Sequence, residues 1–92
     1  MSAELHIEVR FFASVREQLG CAQESVAVPS NINTVGQLRD WLMARGGVWA
    51  KALAHDKPLR MAYQQVMCTA DEPLDRNAVQ HELAFFPPVT GG

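Results

Sequence analysis

Apolar and polar residues alternate near the start of the chain, which is the pattern of a β-strand with one buried face. The apolar positions are Leu5, Ile7, Val9 and Phe11, and the polar or outward positions are His6, Glu8, Arg10 and Phe12. Because successive strand side chains point to opposite faces, the first set is predicted to face the core. Residues 13–19 then predict a short helix that ends at Gly20, and residues 25–28 predict a second strand that completes a hairpin with a wide loop.

A helical period begins at Thr34. Thr34 and Gln37 have the spacing of a capping box, in which the threonine hydroxyl accepts from the Gln37 amide and the glutamine side chain reaches back. One stripe with a period of about 3.6 residues follows, formed by Val35, Leu38, Trp41, Leu42 and Arg45. Gly46 and Gly47 are expected to end this helix, which should cover the sheet. Residues 48–55 predict a short second helix at the surface.

The second half of the chain predicts two further strands. Residues 60–69 alternate throughout and predict one continuous strand. Its faces would be Met61, Tyr63, Gln65 and Met67 on one side and Ala62, Gln64, Val66 and Cys68 on the other. After a turn at 71–73, residues 81–86 predict the last strand. The order strand, strand, helix, strand, strand predicts an α+β fold of the ubiquitin-like β-grasp type, a mixed sheet with one main helix packed on one face. Residues 1–86 would form this domain and residues 87–92 an extended tail.

Length and composition narrow the class of protein. With 92 residues, 48% of them hydrophobic, the chain can build one small core. The apolar runs fall well short of the roughly 18 residues that span a bilayer, and the first residues do not resemble a secretion signal. We therefore expect a cytoplasmic protein with no membrane partner. The formal net charge of −2 argues against nucleic-acid binding and is compatible with a basic protein partner.

Candidate catalytic side chains are scarce. His6, His55 and His81 are too scattered to indicate a metal site and are expected at the surface. Cys21 and Cys68 lack a CxxC partner and are expected to be reduced thiols. We therefore expect no general base, metal or bound cofactor in this chain.

The last residues carry the candidate chemistry. Gly91 and Gly92 lack side chains and tolerate φ of either sign, so a terminal carboxylate here can thread a narrow active site. Pro87 and Pro88 fix φ and donate no N–H, which should stop the last strand and direct the tail outward. The extended reach from Pro87 to Gly92 is at most about 20 Å, enough to enter a cleft of a neighbouring protein.

Three runs of residues resemble those of one family. They are Phe85-Phe86-Pro87-Pro88-Val89-Thr90-Gly91-Gly92 at the end, Val9-Arg10-Phe11-Phe12-Ala13-Ser14-Val15-Arg16-Glu17 near the start, and Asp71-Glu72-Pro73-Leu74 between them. They resemble the signature tail, opening strand and acidic turn of the small, sulfur-carrying subunits of molybdopterin synthases, a ubiquitin-related family. The connection 75–82 is a few residues longer than is usual there, and Tyr63-Gln64 stands where the family often has Asn-Gln.

The resemblance implies a reaction at Gly92. A ubiquitin-activating-like adenylyltransferase would adenylate the Gly92 carboxylate with ATP, and a sulfur donor such as a cysteine desulfurase system would convert it to a thiocarboxylate. The tail residues Pro87, Pro88, Val89, Thr90 and Gly91 would deliver the sulfur into the large synthase subunit. There it would pass to cyclic pyranopterin monophosphate during molybdenum cofactor biosynthesis. The resemblance also implies a heterotetramer of two small and two large subunits, and a chain that is not catalytic alone.

Three other functions remain open. The chain could carry sulfur to another acceptor, such as the thiazole of thiamin, or act as a ubiquitin-like modifier that joins Gly92 to lysines of other proteins. It could also be an inert interaction module. Conjugates larger than the free chain would support a modifier, and an unchanged function without Gly91 and Gly92 would support the inert module.

Partner-binding residues follow from the same alternation. If the apolar positions of the first strand face the helix, then Phe12, Val66 and one of Phe85 and Phe86 should face away, and we select Phe86. An exposed aromatic cluster on a small domain indicates a protein docking surface. The alternative is that these phenylalanines complete the core.

Overall fold

The computed structural model describes residues 5–78 and 81–88, which form a sheet packed against helices. The elements are β1 Leu5–Phe11, α1 Ala13–Leu19, β2 Gln23–Val28, α2 Val35–Met43, α3 Val48–Ala52, β3 Arg60–Tyr63, β4 Val66–Cys68 and β5 Glu82–Phe86. The strand order is β2-β1-β5-β3-β4. Strands β1 and β5 are parallel and the other neighbours are antiparallel, so the sheet is mixed. The predicted α+β architecture is confirmed.

One face of the sheet and the inner sides of the helices share a single hydrophobic core. The strands contribute Leu5, Ile7, Val9, Phe11, Val26, Val28, Met61, Tyr63, Leu83 and Phe85, and the helices contribute Val15, Val35, Leu38 and Leu42. The apolar side of β1 is therefore the buried one, as the alternation predicts. Trp41 and Trp49 are partly buried against this core.

The main helix, α2, begins where the capping signal predicts. The Gln37 amide donates to Thr34 Oγ1 at 3.1 Å. The Gln37 side chain reaches back one residue further than in the usual capping box and accepts from the Asn33 amide at 2.7 Å. The amides of Val35 and Gly36 donate to the carbonyls of Glu72 and Ala70 at 2.9 and 2.8 Å. The first turn of α2 is thus docked against the loop that follows β4.

Helix α3, which follows the main helix, is shorter than the predicted 48–55 and lies only partly at the surface. Ala52 and Leu53 are buried, whereas Lys51 is exposed. The buried Arg39 guanidinium donates to the carbonyls of Leu53 and Ala54, both at 2.7 Å. Desolvation lowers the pKa of Arg39, but these two acceptors satisfy the cation at the end of α3.

The prediction of one continuous strand over 60–69 is wrong. Gln64 and Gln65 both adopt positive φ, 53° and 68°, and form a two-residue turn that folds the segment into the hairpin β3–β4. Successive positive φ values are typical of a type I′ turn, for which Asn-Gly is the usual sequence signal. The Gln64 amide donates to the Glu82 carbonyl at 2.9 Å and the Glu82 amide donates to Gln64 Oε1 at 2.8 Å. This exchange fixes the turn against β5.

The expectation that His81 lies at the surface is also wrong. His81 immediately precedes β5 and is 7% exposed. Its Nδ1 lies 2.9 Å from the Tyr63 hydroxyl, and its Nε2 lies 3.0 Å from the Ala78 carbonyl. The histidine is buried because both ring nitrogens have partners there. His6 and His55 are exposed, as expected.

The long connection 75–82 is fastened to the loop between β2 and α2. The Arg76 guanidinium donates to the carbonyls of Pro29 and Ile32 at 2.8 and 2.5 Å. Val79 and Gln80, within this connection, lie outside the described residues. In the portion of the chain that is described, no helix has the length and apolarity to cross a membrane.

Candidate docking face and tail

The tail leaves the sheet from its central strand. β5 lies between β1 and β3, and its Phe85 is fully buried in the core. Phe86 therefore points to the opposite face and is half-buried. Pro87 and Pro88 follow the end of β5 and are also half-buried. The remaining candidate tail residues, Val89, Thr90, Gly91 and Gly92, lie outside the described residues, so the division at residue 87 stays a prediction.

The face of the sheet opposite the helices, here called the open face, has an apolar end beside this exit. Arg10, Ala84, Ala62 and Met67 lie opposite one another in a row across four strands. Phe86 lies opposite Arg60 in the next row towards the tail. Phe12 continues β1 into this row, because its amide donates to the Phe85 carbonyl at 3.1 Å.

Phe12 and Phe86 thus share the apolar end of the open face with two alanines. Phe12 is 46% exposed, a large fraction for an aromatic side chain. It lines a shallow hollow of about 210 Å³ together with Ala62, Ala84 and the more polar Arg10 and Glu82. We call Phe12, Ala62, Ala84 and Phe86 the apolar patch. Exposed aromatic groups beside small side chains form a surface suited to protein docking.

The other end of the open face is charged. Glu8 and Glu82 lie opposite each other on the parallel strands β1 and β5. Arg10 forms ion pairs with both, at 2.9 Å to Glu8 and 2.5 Å to Glu82. This arrangement offsets the repulsion between two neighbouring carboxylates. The open face is therefore divided, with its apolar end at the root of the tail.

Val66 is not brought together with Phe12 and Phe86. It lies opposite Tyr63, whose side chain belongs to the core, so Val66 points to the helix side of the sheet. It is 66% exposed because β4 is an outer strand. The two-residue turn at Gln64-Gln65 reverses the alternation that a continuous strand would have continued. Met67 takes the outward position on β4 instead, and the sequence contains no turn signal at Gln64-Gln65 that would have revealed this.

The described side chains offer no obvious reactive centre. Cys21 and Cys68 are free thiols. Burial raises the pKa of Cys68, and the nearby Glu72 carboxylate adds to the effect, so this thiol stays protonated at neutral pH. Within residues 5–78 and 81–88, no group of three or more His, Cys, Asp or Glu side chains could hold a metal ion. The feature of the described surface that stands out is the apolar patch beside the end of β5.

Comparison with solved structures supports the fold. The small archaeal modifier protein SAMP1 of Haloferax volcanii is 27% identical, covers 95% of this chain and 99% of its own, and superimposes with a TM-score of 0.69. One chain of a complex of subunits 1 and 2 of the molybdopterin-converting factor from Helicobacter pylori 26695 is 20% identical. It covers 96% of this chain and 100% of its own with a TM-score of 0.62, a likeness of fold alone.

Sequence comparison shows the family. Residues 9–92 match the ThiS family. The molybdopterin synthase sulfur carrier subunit of Escherichia coli (strain K12) is 42% identical over 86 residues, which cover 94% of this chain and 99% of the relative. The protein of the same name from Haemophilus influenzae is 38% identical over 88 residues, with the same coverage. The chain therefore belongs to the ThiS family and is a homologue of the molybdopterin synthase sulfur carrier subunits.

Proposed function

We propose that this chain is the sulfur carrier subunit of a molybdopterin synthase and that Gly92 carries the sulfur. The observation that carries the proposal is the 42% identity to a subunit of that name over 94% of the chain. The geometry supports it, because the strand that leads into the tail is central in the sheet and the apolar patch adjoins its exit.

The chemistry at Gly92 begins with activation. A carboxylate is a poor acyl donor, because its negative charge repels nucleophiles and oxide is a poor leaving group. The Gly92 carboxylate attacks the α-phosphorus of ATP on the partner adenylyltransferase, and pyrophosphate leaves. A persulfide of the cysteine desulfurase system then displaces AMP at the acyl carbon and forms an acyl disulfide. A thiol cleaves the S–S bond of this intermediate, which releases the thiocarboxylate and leaves a disulfide on the sulfur donor. The resulting thiocarboxylate is anionic at neutral pH, with much of its charge on a polarizable, nucleophilic sulfur.

The large synthase subunit receives this tail. Phe12 and Phe86 of the apolar patch bind the large subunit, while residues 87–92 extend by up to about 20 Å into its active site. The sulfur passes there to cyclic pyranopterin monophosphate. Because the product dithiolene contains two sulfurs, two loaded carriers are needed for each molybdopterin, and two small subunits serve two large ones in the assembly.

The two alternative functions at Gly92 have less support. Both relatives are named as molybdopterin synthase subunits, which does not favour a carrier for the thiazole of thiamin. A modifier is the closest competitor, since a structural neighbour at 27% identity is a modifier protein. A modifier would leave covalent conjugates on lysines, whereas a sulfur carrier would accumulate as a small thiocarboxylate form.

A complete reconstitution tests the proposal. The full chain is combined with a molybdopterin synthase large subunit, an activating enzyme, ATP, a sulfur donor and cyclic pyranopterin monophosphate, and the dithiolene product is measured. We expect product with the full chain and none with a chain that lacks Gly92. The carrier from Escherichia coli is the positive control. Product formation without Gly92, or no product under conditions in which the control carrier is active, would contradict the proposal.

A further inference from the structure

The outer strand β4 has a backbone edge directed away from the sheet. Val66 and Tyr63 flank the two-residue turn and form the first pair of the β3–β4 hairpin. In an antiparallel pair, hydrogen-bonded and non-hydrogen-bonded positions alternate, so the N–H and C=O of Met67 point away from β3. Among residues 5–78 and 81–88, no backbone hydrogen bond outside this hairpin reaches residues 66–68. Met67 can therefore pair with an added strand.

The side chains on this edge are apolar and exposed. Val66 is 66% exposed and Met67 is 57% exposed, on opposite faces of the strand. Natural edge strands commonly carry Lys or Pro, which discourage further pairing, and β4 carries neither. The edge is thus open to an incoming strand in both its backbone and its side chains.

An acidic groove adjoins Val66. It has a volume of about 420 Å³ and lies between the β3–β4 hairpin and the loop 72–75, with Val66, Pro73 and Leu74 among its apolar lining. Glu72 and Asp75 line it as well. Burial raises the pKa of Tyr63 at this groove, and the negative charges of Asp75 and Glu72 add to the effect.

The neighbouring Arg76 offsets only part of the charge of this groove. Its single positive charge opposes the effect of the carboxylates on the pKa of Tyr63, but two carboxylates, Glu72 and Asp75, line the groove. The Arg76 guanidinium is already bonded to the carbonyls of Pro29 and Ile32. The Asp75 carboxylate accepts from the Asn77 amide at 3.0 Å, which leaves its charge in place. The groove therefore favours a cationic side chain with an apolar stem, which is the chemistry of lysine and arginine.

We propose that the free edge of β4 binds an extended segment of a partner protein by strand addition, with a lysine or arginine of that segment in the groove beside Val66. The segment pairs with the outward backbone groups of Met67. The aliphatic stem of the lysine or arginine side chain lies on Val66 and Leu74, and the charged end of that side chain lies beside Glu72 and Asp75. A second copy of this chain is a poorer occupant, because it carries the same acidic groove. This site borders the apolar patch, because Met67 lies opposite Ala62, but its groove lies on the other face of β4. It does not depend on the chemistry of Gly92.

The test is an NMR titration of the full ¹⁵N-labelled chain with a blocked pentapeptide, acetyl-Val-Lys-Val-Lys-Val-amide. We expect saturable amide shifts at residues 66–68 and 72–75 at millimolar peptide. The matched peptide with glutamate in place of lysine should cause no such shifts. Shifts confined to the apolar patch, or none at 66–68, would overturn the proposal.

Two pairs of variants sharpen the test. Glu72→Gln should weaken lysine-peptide binding by about two- to fivefold, the range of an exposed ion pair, whereas the matched loss of charge in Asp56→Asn should not. Val66→Lys should abolish binding, whereas Val48→Lys, at another exposed valine, should not. Equal effects within either pair would overturn the proposal. Shifts at 66–68 that depend on protein concentration without peptide would also overturn it, in favour of self-association.

Discussion

The Tyr63 hydroxyl lies 2.9 Å from Nδ1 of His81, and both side chains are buried. Nε2 of His81 faces the Ala78 carbonyl at 3.0 Å, so Nε2 carries the proton and Nδ1 accepts from the tyrosine. The tyrosine oxygen in turn accepts from the Asp75 amide at 2.9 Å. This chain of hydrogen bonds fastens both ends of the connection before β5 to the sheet.

Tyr63→Phe should therefore destabilise the domain. The change leaves His81 Nδ1 and the Asp75 amide without the hydroxyl, and an unsatisfied buried polar group costs about 1–3 kcal/mol. The free energy of unfolding, measured by urea denaturation, should fall by about this amount. The double variant Tyr63→Phe with His81→Leu should lose less unfolding free energy than the sum of the losses in the two single variants. Strict additivity would contradict the coupling.

The ion pair between Glu24 and Arg45 predicts a pH dependence of stability. Two contacts, at 3.0 and 2.7 Å, join the side chains, and Arg45 also lies 4.4 Å from the ring centroid of Trp49. The hydrogen bond from Arg45 lowers the pKa of Glu24, against an opposing effect of burial. A lowered folded-state pKa contributes stability above the unfolded-state pKa, and this stability is lost as pH falls through the folded-state value.

Glu24→Gln should accordingly reduce the free energy of unfolding at neutral pH by less than about 1 kcal/mol, since the pair is about one third exposed. The difference from the natural chain should shrink as the pH falls from neutral through the lowered folded-state pKa of Glu24, and it should vanish once the carboxylate is protonated. Urea denaturation across this pH range measures it. Glu17→Gln, on the exposed side of α1, is the control. A difference that persists undiminished in acid would contradict the assignment.

Gly36 is required by the close approach of α2 to the loop after β4. A Cβ at Gly36 would lie 2.8 Å from the Ala70 Cβ and 3.0 Å from its carbonyl oxygen. Gly36→Ala should therefore lower the free energy of unfolding by about 1–3 kcal/mol, the usual cost of overpacking. Adding Ala70→Gly removes the shorter contact and should restore part of the loss. A neutral Gly36→Ala variant would contradict this packing.

Phe85 and Phe86 should respond in opposite ways to substitution. Phe85→Ala removes a fully buried ring, which should cost about 3–5 kcal/mol of unfolding free energy. Phe86 lies on the open face, so Phe86→Arg should leave the domain folded but abolish binding to the large synthase subunit. Thermal unfolding and isothermal titration with that subunit separate the two effects. A collapse of stability in Phe86→Arg would place Phe86 in the core instead.

Local patterns predicted most of the fold. The alternation of β1 identified the buried face, and Thr34 with Gln37 identified the start of α2. Both predictions succeeded because each signal is carried by residues that are close together in sequence. The β3–β4 hairpin was missed because Gln64 and Gln65 carry no turn signal. Their positive φ values depend on hydrogen bonds with Glu82, which is distant in sequence.

The candidate site was predicted in part for the same reason. Phe12 and Phe86 lie on one face because Phe12 directly follows β1 and Phe86 ends β5, and the alternation of both strands was assigned correctly. Val66 does not, because its face depends on the missed turn. The burial of His81 required Tyr63, which lies 18 residues away and gives no local signal. The partner-binding roles of all three predicted residues stay predictions.

The most direct measurement is the intact mass of this chain after reaction with a molybdopterin-pathway activating enzyme, ATP and a sulfur donor. A chain that lacks Gly92 is treated in parallel. The account predicts a mass gain equal to the replacement of one oxygen by sulfur, present in the full chain and absent in the truncated one. No gain in the full chain, under conditions in which the Escherichia coli carrier is converted, would contradict the assignment of Gly92 as a sulfur carrier.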